Sequence, residues 1–563
     1  MPWSRRAAYS LGNALTETSS RPIRQVGENR PFGWEGGPAR PAKTLLSAGR
    51  KGGRLGYGRA DPPQCPAGRP PSSGRFEAAA WESLLPAAAA KVRWHRESPS
   101  RPHSQGITTT REEPVLMISI ETTPISIPSP AVRTLAADLP AHAGETVIVE
   151  GWLHRRRTLK SVTFLVLRDR TGLVQVVFTT PEQLAGVEGA GEETVLRVSG
   201  IATANSQAPG GIELTGPRVT VLSSLAEAGP FDLYRPTVPA TLPTILDHAP
   251  VALRHPRLRA PHLIAAASIA GYRAALDGLG FTEIHTPKIV GSATESGANV
   301  FEIDYFGTRA YLAQSPQFFK QMMVGVFERV YETGPVFRAE PHDTARHLAQ
   351  YTSLDAELGF IEDHHDVMAV LREALAGMLG AVQERAGAAC ELLAAKLPEV
   401  PSQIPEIHFA EAQELLAAHT EQDPRGEPDL APTHERWLSE WAVREYGSEF
   451  LFVTGYPMRK RPFYTYPEPG RSEYSNSFDL LFRGLEIVTG GQRLHKYEDY
   501  VAALAARGEG PEAYAGYLQA FQHGMPPHGG FAMGLERWVA RLVGVENVRL
   551  ATLFPRDITR LSP

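Results

Sequence analysis

Alternating apolar and polar residues dominate the chain between residues 145 and 222. Strict alternation is typical of half-buried strands, whose side chains point in turn to the core and to solvent. The alternating runs are Thr146–Trp152, Val162–Arg168, Leu173–Phe178, Thr194–Ala204 and Gly211–Val221. Because these short strands are separated by turns such as Asp169-Arg170-Thr171-Gly172, they predict a small β-barrel.

A proline-rich stretch at 229–256 follows, and beyond it helical periods are mixed with apolar strands. The predicted helices are Leu263–Gly280, Asp366–Ala386, Phe409–Ala418, Pro432–Tyr446 and Gly530–Leu542. The predicted strands are Arg329–Arg338, Tyr351–Glu357, Leu451–Tyr456, Phe478–Phe482 and Leu485–Val488, with Phe281–Val290 extended. This pattern predicts an α+β domain around a largely antiparallel sheet.

The first 116 residues differ from the rest of the chain in both pattern and charge. They show no sustained period, and they hold 18 Lys+Arg against 9 Asp+Glu, whereas residues 117–563 hold 39 against 53. The net charge of −5 is therefore an average over a basic leader and an acidic body. We expect residues 1–116 to be disordered or to precede the true start at Met117, with a transit peptide or a basic arm as weaker alternatives.

The resulting division is a leader at 1–116, a barrel domain at 117–228, a linker at 229–256 and a larger domain at 257–563. The two cysteines, Cys65 and Cys390, are too few for a disulfide framework or a four-thiolate metal site. No apolar run is long enough to cross a bilayer. A cytoplasmic protein without a membrane partner is therefore expected.

Two segments of the larger domain are suited to binding phosphate. Arg338 and Glu340 lie two residues apart, so on a strand both would point to one face, and Arg346 and His347 follow in a polar loop. The segment Gly529–Arg537 is a glycine-rich turn that leads into a helix, whose N-terminus favours negative charge. Taken singly, these patterns also fit a surface salt bridge and close packing.

Two further pairs of residues carry candidate chemistry. Glu486 and Thr489 offer oxygen ligands of the kind that Mg²⁺ prefers, and Arg493 follows close behind. Gln317 and Lys320 lie about one helical turn apart, so a helix would place them on one face.

Together these segments resemble the class II aminoacyl-tRNA synthetases. Phe337–Glu357 resembles motif 2, Gly529–Arg537 resembles motif 3, and Gly280–Pro287 is similar to motif 1. The five-stranded module resembles the OB-fold anticodon domain of the Asp, Asn and Lys subgroup, and the resemblance covers nearly all of 117–563. It implies an OB-fold barrel followed by a class II catalytic domain, with motif 1 forming a two-fold homodimer.

The resemblance also implies roles for individual residues. Aspartate would be bound by Glu295, Gln317, Lys320, Arg338, Thr489 and Arg493. ATP would be bound by Arg338, Glu340, Arg346, His347, Leu348, Glu486, Gly534, Leu535, Glu536 and Arg537, with Arg338 and Arg537 as the catalytic cations. Glu486 and Thr489 would hold Mg²⁺, and no protein general base is expected.

Lys320 decides the amino acid that the resemblance implies. Aspartyl enzymes carry a lysine at this place in the Gln-Ser-Pro-Gln-x-x-Lys-Gln run, and asparaginyl enzymes lack it. A buried ammonium opposite a neutral amide would be left without its ion partner, so charge discriminates better than shape. The absence of a large insertion between motifs 2 and 3 resembles the compact, archaeal-type branch.

The barrel residues bear on the choice of tRNA. Phe164, Gln175 and Glu213 match the family's anticodon contacts, and His154 and Pro209 match the type that reads the anticodon loosely. The basic run 154–160 is expected in a hairpin loop, where it could hold tRNA phosphates.

The resemblance therefore implies an aspartate–tRNA ligase acting on both tRNA-Asp and tRNA-Asn, coupled in function to an amidotransferase that converts Asp-tRNA-Asn. Three alternatives stay open: an enzyme restricted to tRNA-Asp, an asparaginyl enzyme, and a non-catalytic RNA-binding paralogue.

Overall fold

The computed structural model describes residues 133–292 and 299–562. The leader predicted at 1–116 and Glu295 lie outside these ranges. Within them, no helix is both long and apolar enough to span a membrane.

The alternating segment forms a closed barrel with strand order β1-β2-β3-β5-β4. Its elements are β1 (Thr146–Thr158), β2 (Thr163–Arg168), β3 (Leu173–Phe178), α1 (Pro181–Leu184), β4 (Val195–Ala204) and β5 (Ile212–Val221). Only the β3–β5 pair is parallel among the barrel's described pairings. The inward positions, such as Leu165, Val176 and Leu214, are fully buried. The barrel prediction is confirmed, because period-two burial closes a core inside the sheet.

The first strand is longer than predicted. Residues 154–158 of the basic run continue β1 rather than forming a loop, and the turn is closed by Leu159 N donating to Val162 O at 2.8 Å. The ladder shifts register between Leu153 and Arg155, so His154 is the extra residue of a β-bulge. The expectation of a basic loop is therefore wrong for most of this run.

The larger domain is built on an eight-stranded sheet with the order β12-β13-β16-β17-β18-β11-β10-β6. A second sheet has the order β7-β9-β8, and β14 pairs with β15. The strands are β6 (Thr282–Glu283), β7 (Ile289–Val290), β8 (Glu302–Tyr305), β9 (Thr308–Leu312), β10 (Arg329–Phe337), β11 (Gln350–Gly359), β12 (Glu406–His408), β13 (Phe450–Thr454), β14 (Pro467–Glu468), β15 (Arg471–Ser475), β16 (Ser477–Phe482), β17 (Leu485–Gln492) and β18 (His528–Gly534). The expected antiparallel sheet is confirmed, with parallel pairing at its two ends.

Ten helices of this domain are described. They are α2 (Leu242–Asp247), α3 (Ala249–Ala252), α4 (Pro256–Gly278), α5 (Gln317–Phe327), α6 (His364–Leu393), α7 (Phe409–His419), α8 (Pro432–Tyr446), α9 (Tyr497–Ala506), α10 (Ala515–Gln522) and α11 (Leu535–Val543). The helices α2 and α3 fall inside the segment predicted to be a linker.

Two local predictions are wrong. Gly530–Leu542 is not one helix: residues up to Gly534 form β18, which pairs with β11 on one side and β17 on the other. Arg338 and Glu340 do not share a strand face, because β10 ends at Phe337. The partner strand β11 begins at Gln350. Arg338 N donates to Ala349 O at 2.9 Å just beyond it, and the regular β10–β11 ladder ends there.

The long helices α4 and α6 pack closely over the sheet. Gly271 on α4 lies against the backbone of Gly377 and Met378 on α6, and a Cβ at Gly271 would overlap the Gly377 carbonyl oxygen. Backbone atoms cannot yield as a flexible side chain can, so this crossing requires glycine.

We therefore expect Gly271→Ala to destabilise the chain by about 1–3 kcal/mol, because overpacking outweighs alanine's better helix propensity. Gly278, also on α4, has open space around its Cβ direction, so Gly278→Ala is the matched control and should be neutral or slightly stabilising. Thermal unfolding of both variants checks this, and equal melting temperatures would show that the crossing tolerates a methyl group.

Candidate active site

The centre of the larger domain contains a buried ammonium group. Lys320 projects from α5, which packs against β10 and β11, and its side chain is 1% exposed. Its Nζ lies 3.0 Å from Asp355 Oδ1 and 3.3 Å from Glu357 Oε2. It also donates to Phe531 O at 3.0 Å. Asp355 and Glu357 are two residues apart on β11 and therefore reach the same side of the sheet.

Arg493, which directly follows β17, completes this group of charges. Its Nε donates to Glu357 Oε1 at 2.9 Å, and its Nη2 donates to Gly530 O at 2.9 Å. Gly530 leaves room for the Glu357 carboxylate, which a Cβ at this position would overlap. We call Lys320, Arg493, Asp355 and Glu357 the charge quartet.

The charge quartet is balanced, with two cations opposite two carboxylates. Burial raises the pKa of the Glu357 carboxyl, but the charges of Arg493 and Lys320 outweigh burial and hold that pKa below its usual value. The neighbouring His528 is fully buried, and burial lowers its pKa to about 4, so the imidazole is neutral near pH 7. Removing one member of such a set would leave a buried charge without its partner, which is costly.

Two carboxylates and a carbonyl already surround the Lys320 ammonium, which leaves little room for a direct contact with a substrate. Arg493 is better placed to receive a further anion, since its hydrogen bonds to residues of the described ranges use Nε and Nη2 and leave Nη1 for a ligand. Gln317 is 5% exposed, and its Nε2 has no partner within the described ranges. Arg338 lies with its guanidinium 5.7 Å from the ring centre of Tyr351.

A polar cavity of about 160 Å³ lies in the same domain. It is lined by Arg346, His347, Asp429, Leu430, Glu435, Tyr456, Asp479, Leu481, Glu486 and Arg537. Four of these residues were predicted to bind ATP: Arg346, His347, Glu486 and Arg537. Burial and the charge of Arg537 lower the pKa of His347 to about 4, so its ring is neutral near pH 7.

Glu486 joins several candidate residues at this cavity. It accepts a hydrogen bond from Thr489 Oγ1 at 2.9 Å, and its Oε2 lies 3.5 Å from Arg537 Nη1. The two residues predicted to hold a metal ion are therefore adjacent. Asp479 lies opposite Thr489 in the β16–β17 ladder and is 6% exposed.

The sequence predictions missed Asp479 and Glu435 at the cavity and Asp355 and Glu357 in the charge quartet. The last two carried a signal, because two acids at alternate positions, each flanked by apolar residues, share one face of a strand. Glu435 comes from α8, and its Oε2 lies 3.7 Å from Arg346 Nη1. Helix periodicity alone could not place it at a cavity.

Other residues predicted to bind ATP lie away from the lining. The Glu536 carboxylate accepts hydrogen bonds from Thr352 N at 3.0 Å and thereby fixes α11 to β11. Leu535 is buried, and Gly534 is the N-cap residue of α11. Glu340 and Leu348 are half-buried in the segment between β10 and β11.

The barrel presents a face that contains the three predicted base contacts, and we call it the outer barrel face. Phe164 on β2 lies opposite Arg157 on β1, and Val166, two residues further along β2, lies opposite Gln175 on β3. Gln175 Nε2 donates to Glu213 Oε2 at 2.9 Å. An aromatic ring, an amide and a carboxylate beside arginines can stack and hydrogen-bond unpaired bases.

The two residues predicted to govern discrimination differ in environment. Pro209 is half-buried and begins a short 3-10 helix, Pro209–Gly211, directly before β5. His154 is 8% exposed, and its Nδ1 lies 3.2 Å from Arg168 Nη1. Burial and the charge of Arg168 lower its pKa to about 4, so the ring is neutral near pH 7.

Comparison with known proteins agrees with this geometry. Residues 242–558 match the family model of tRNA synthetases class II (D, K and N), and residues 147–222 match the OB-fold nucleic acid binding domain. The chain belongs to the class II tRNA synthetases of the D, K and N group, with an OB-fold domain ahead of the catalytic domain.

Individual relatives are similar over most of their length. The Aspartate--tRNA(Asp/Asn) ligase of Thermus thermophilus is 48% identical over 432 residues, which cover 77% of this chain and 100% of the relative. The Aspartate--tRNA(Asp) ligase of Pyrococcus abyssi is 38% identical, covering 75% and 97%. The crystal structure of asparaginyl-tRNA synthetase from Pyrococcus horikoshii complexed with asparaginyl-adenylate has a TM-score of 0.70 and 30% identity, covering 75% of this chain and 98% of that one.

The acid-lined cavity predicts a measurable pH effect. Burial and the charge of Glu486 raise the pKa of Glu435 from its ordinary value to about 7, so the folded chain holds this proton more tightly than the unfolded chain does. The contribution of Glu435 to stability is therefore lost as pH rises from about 4.5 through 7. Glu435→Gln removes this loss. The gain in unfolding free energy of the variant over the unchanged chain should therefore be larger at pH 8 than at pH 5, by up to roughly 3 kcal/mol.

Glu440→Gln, at an exposed position on α8, is the matched control. Denaturant unfolding at the two pH values, in buffer containing a chelator, compares both variants with the unchanged chain. If Glu435→Gln and Glu440→Gln gave the same pH dependence, Glu435 would not bind its proton more tightly in the folded state.

Proposed function

We propose that the chain is an aspartate–tRNA ligase that charges both tRNA-Asp and tRNA-Asn. The observation that supports aspartate as the substrate is the charge quartet, in which Glu357 is held between Lys320 and Arg493 and Arg493 keeps its Nη1 for a further anion. Such a position attracts a side-chain carboxylate and offers a neutral amide no comparable partner.

In the first step, the α-carboxylate of aspartate attacks the α-phosphorus of ATP and expels pyrophosphate. Arg338 would hold the α-phosphate and the attacking carboxylate, and Arg537 would hold the γ-phosphate. Arg346 and His347 support this assignment, because they line the same cavity as Arg537. The protein contributes position and positive charge rather than covalent chemistry.

The cavity lining also fits Mg²⁺. The lining contains four carboxyl groups, and two of them pair with cations beyond it: Asp479 with Arg461 and Asp429 with Lys460, each at 2.9 Å. Glu486 lies 3.5 Å from Arg537, so a polyphosphate would bring excess negative charge that a divalent cation can compensate. Glu486 and Thr489 are the predicted oxygen ligands, and the geometry adds Asp479 to this set. When bound, Mg²⁺ would neutralise charge on the phosphates.

In the second step, the terminal ribose hydroxyl of tRNA attacks the mixed anhydride and releases the nucleotide. The outer barrel face would bind the anticodon, with Phe164 stacking on a base and Gln175 and Glu213 bonding base edges. The basic residues of β1 on this face would contact tRNA phosphates, which is the role predicted for the basic run 154–160.

The proposal that the chain charges both tRNAs rests on His154 and Pro209 and on the name of the Thermus thermophilus relative, which specifies both. Asp-tRNA-Asn made in this way would need a separate amidotransferase to become Asn-tRNA-Asn. The printed name of the Pyrococcus abyssi relative, which specifies tRNA-Asp alone, keeps a restricted enzyme as the second candidate.

We also propose a two-fold homodimer through motif 1. Apolar side chains near this segment are exposed in the single chain, among them Leu263 at 47% and Ile289 at 49%. A second copy that covered them would bury this apolar surface.

The test is aminoacylation with labelled aspartate and ATP on separate transcripts of tRNA-Asp and tRNA-Asn. We expect both to be charged, with kcat/KM values within about tenfold of each other, because the two anticodons differ only at the third base and a loosely reading barrel would distinguish them by less than about 1.4 kcal/mol. Arg537→Ala is the inactive control. Charging of tRNA-Asp alone would establish the restricted enzyme, and charging of neither would refute the ligase.

A further inference from the structure

A second buried charge network lies at one end of the barrel. Arg168, the last residue of β2, makes two parallel hydrogen bonds to Glu193, with Nη1 at 2.8 Å from Oε1 and Nη2 at 2.7 Å from Oε2. The side chains are only 5% and 11% exposed. A two-pronged arginine–carboxylate pair fixes the orientation of both groups as well as their separation.

Glu193 also binds a residue outside the barrel. Arg254 Nη1 lies 3.0 Å from Glu193 Oε2. Arg254 directly precedes His255, the N-cap residue of α4, and α4 packs against α6 in the core of the catalytic domain. Glu193 has a φ of +72°, which is uncommon for a residue with a side chain and indicates that surrounding contacts hold it in place.

A second pair of contacts crosses the same junction. The Arg155 guanidinium, on β1, lies 4.1 Å from the ring centre of Tyr234 in the segment between the domains. The next residue, Arg235, accepts a hydrogen bond at 2.8 Å on its carbonyl oxygen from His255 Nε2. The barrel is thus connected to the start of α4 both directly, through Glu193, and through the intervening segment.

His154 belongs to this junction rather than to the outer barrel face. Its Nδ1 lies 3.2 Å from the same Arg168 Nη1 that binds Glu193, and its ring is nearly enclosed. A direct contact between this ring and an anticodon base would require the ring to leave its buried place. Residue 154 would therefore affect tRNA choice through its contact with Arg168 rather than through a contact with an anticodon base.

We propose that Arg168, Glu193 and Arg254 form an interdomain joint that sets the orientation of the anticodon barrel relative to the catalytic domain, and that His154 influences tRNA choice through this joint. Arg254 and Glu193 are then positioning residues for the tRNA-dependent step. This inference rests on the proposed function, since it assumes that the outer barrel face binds the anticodon.

The joint acts on one step of the reaction only. Adenylate formation uses residues of the catalytic domain alone, so it does not depend on the angle of the barrel. Transfer to tRNA requires the anticodon to lie on the barrel while the terminal ribose lies at the adenylate, and small misplacements lower the rate of such a step strongly. A weakened joint should therefore reduce charging and leave adenylate formation intact.

Arg254→Ala tests the joint cleanly, because Arg254 is 40% exposed and its loss leaves the buried Arg168–Glu193 pair intact. The matched control is Arg197→Ala, which removes an arginine 53% exposed and paired to Glu150 at 2.6 Å within the barrel. For Arg254→Ala we expect kcat/KM for tRNA to fall by about tenfold and aspartate-dependent pyrophosphate exchange to stay within about twofold of the unchanged chain.

We expect Arg197→Ala to leave both activities unchanged. We also expect Arg254→Ala to change the ratio of tRNA-Asn to tRNA-Asp charging, which a loss of stability alone would not do. Combining His154→Gln with Arg254→Ala should change this ratio by less than the sum of the single effects, because both act through Arg168 and Glu193.

The proposal is overturned if Arg254→Ala behaves like Arg197→Ala, or if its charging and pyrophosphate exchange fall together. Additive effects of His154→Gln and Arg254→Ala would remove His154 from the joint. Failure of the proposed function has a different signature, because the unchanged chain would then show no aspartate-dependent pyrophosphate exchange.

Discussion

The charge quartet is the constraint on which the catalytic domain depends. Lys320 is 1% exposed, and an ammonium at that depth keeps its charge only while carboxylates compensate it. Asp355 and Glu357 on β11 supply these carboxylates, and Arg493 at the end of β17 pairs with Glu357. The helix and the strands are thereby held in one register by charge as well as by ladder hydrogen bonds. An incoming carboxylate meets cations whose positions are already fixed, so little ordering remains to be done on binding.

The phosphate cavity is lined by more carboxyl groups than arginines, whereas the charge quartet is balanced, and β17 links the two sites. Glu486 and Thr489 lie on this strand at the cavity, and Arg493 follows its last residue. The strand therefore carries predicted metal ligands at one site and a cation for the amino acid at the other. In the proposed function this arrangement would separate two tasks: the charge quartet would recognise the small substrate, and the carboxyl groups of the cavity would suit a polyphosphate that arrives with divalent ions.

Much of this could be predicted from the sequence, because the signals were local. Period-two alternation located the barrel strands, and helical periodicity located α8. The failures were non-local. Gly530–Gly534 has weak strand propensity, and only its two neighbouring strands make it β18. The bulge at His154 shifts the ladder by one residue, which no composition signal marks.

The candidate site divides in the same way. Motif-like runs identified Arg346, Glu486 and Arg537, which the structure brings to one cavity. Glu435 and Asp479 come to that cavity from α8 and β16, so only the tertiary structure reveals them. Asp355 and Glu357 alternate along β11, which the sequence shows, but only the packing of α5 against β11 reveals that they compensate Lys320.

The measurement that tests this account most directly is pyrophosphate exchange by the unchanged chain, compared between aspartate and asparagine at equal concentrations. A side-chain carboxylate gains a charge-assisted hydrogen bond from Arg493 that a neutral amide cannot match, so aspartate should be favoured by about 10³-fold or more in kcat/KM. Comparable exchange with asparagine would contradict the account, because the charge quartet would then not be what selects the substrate.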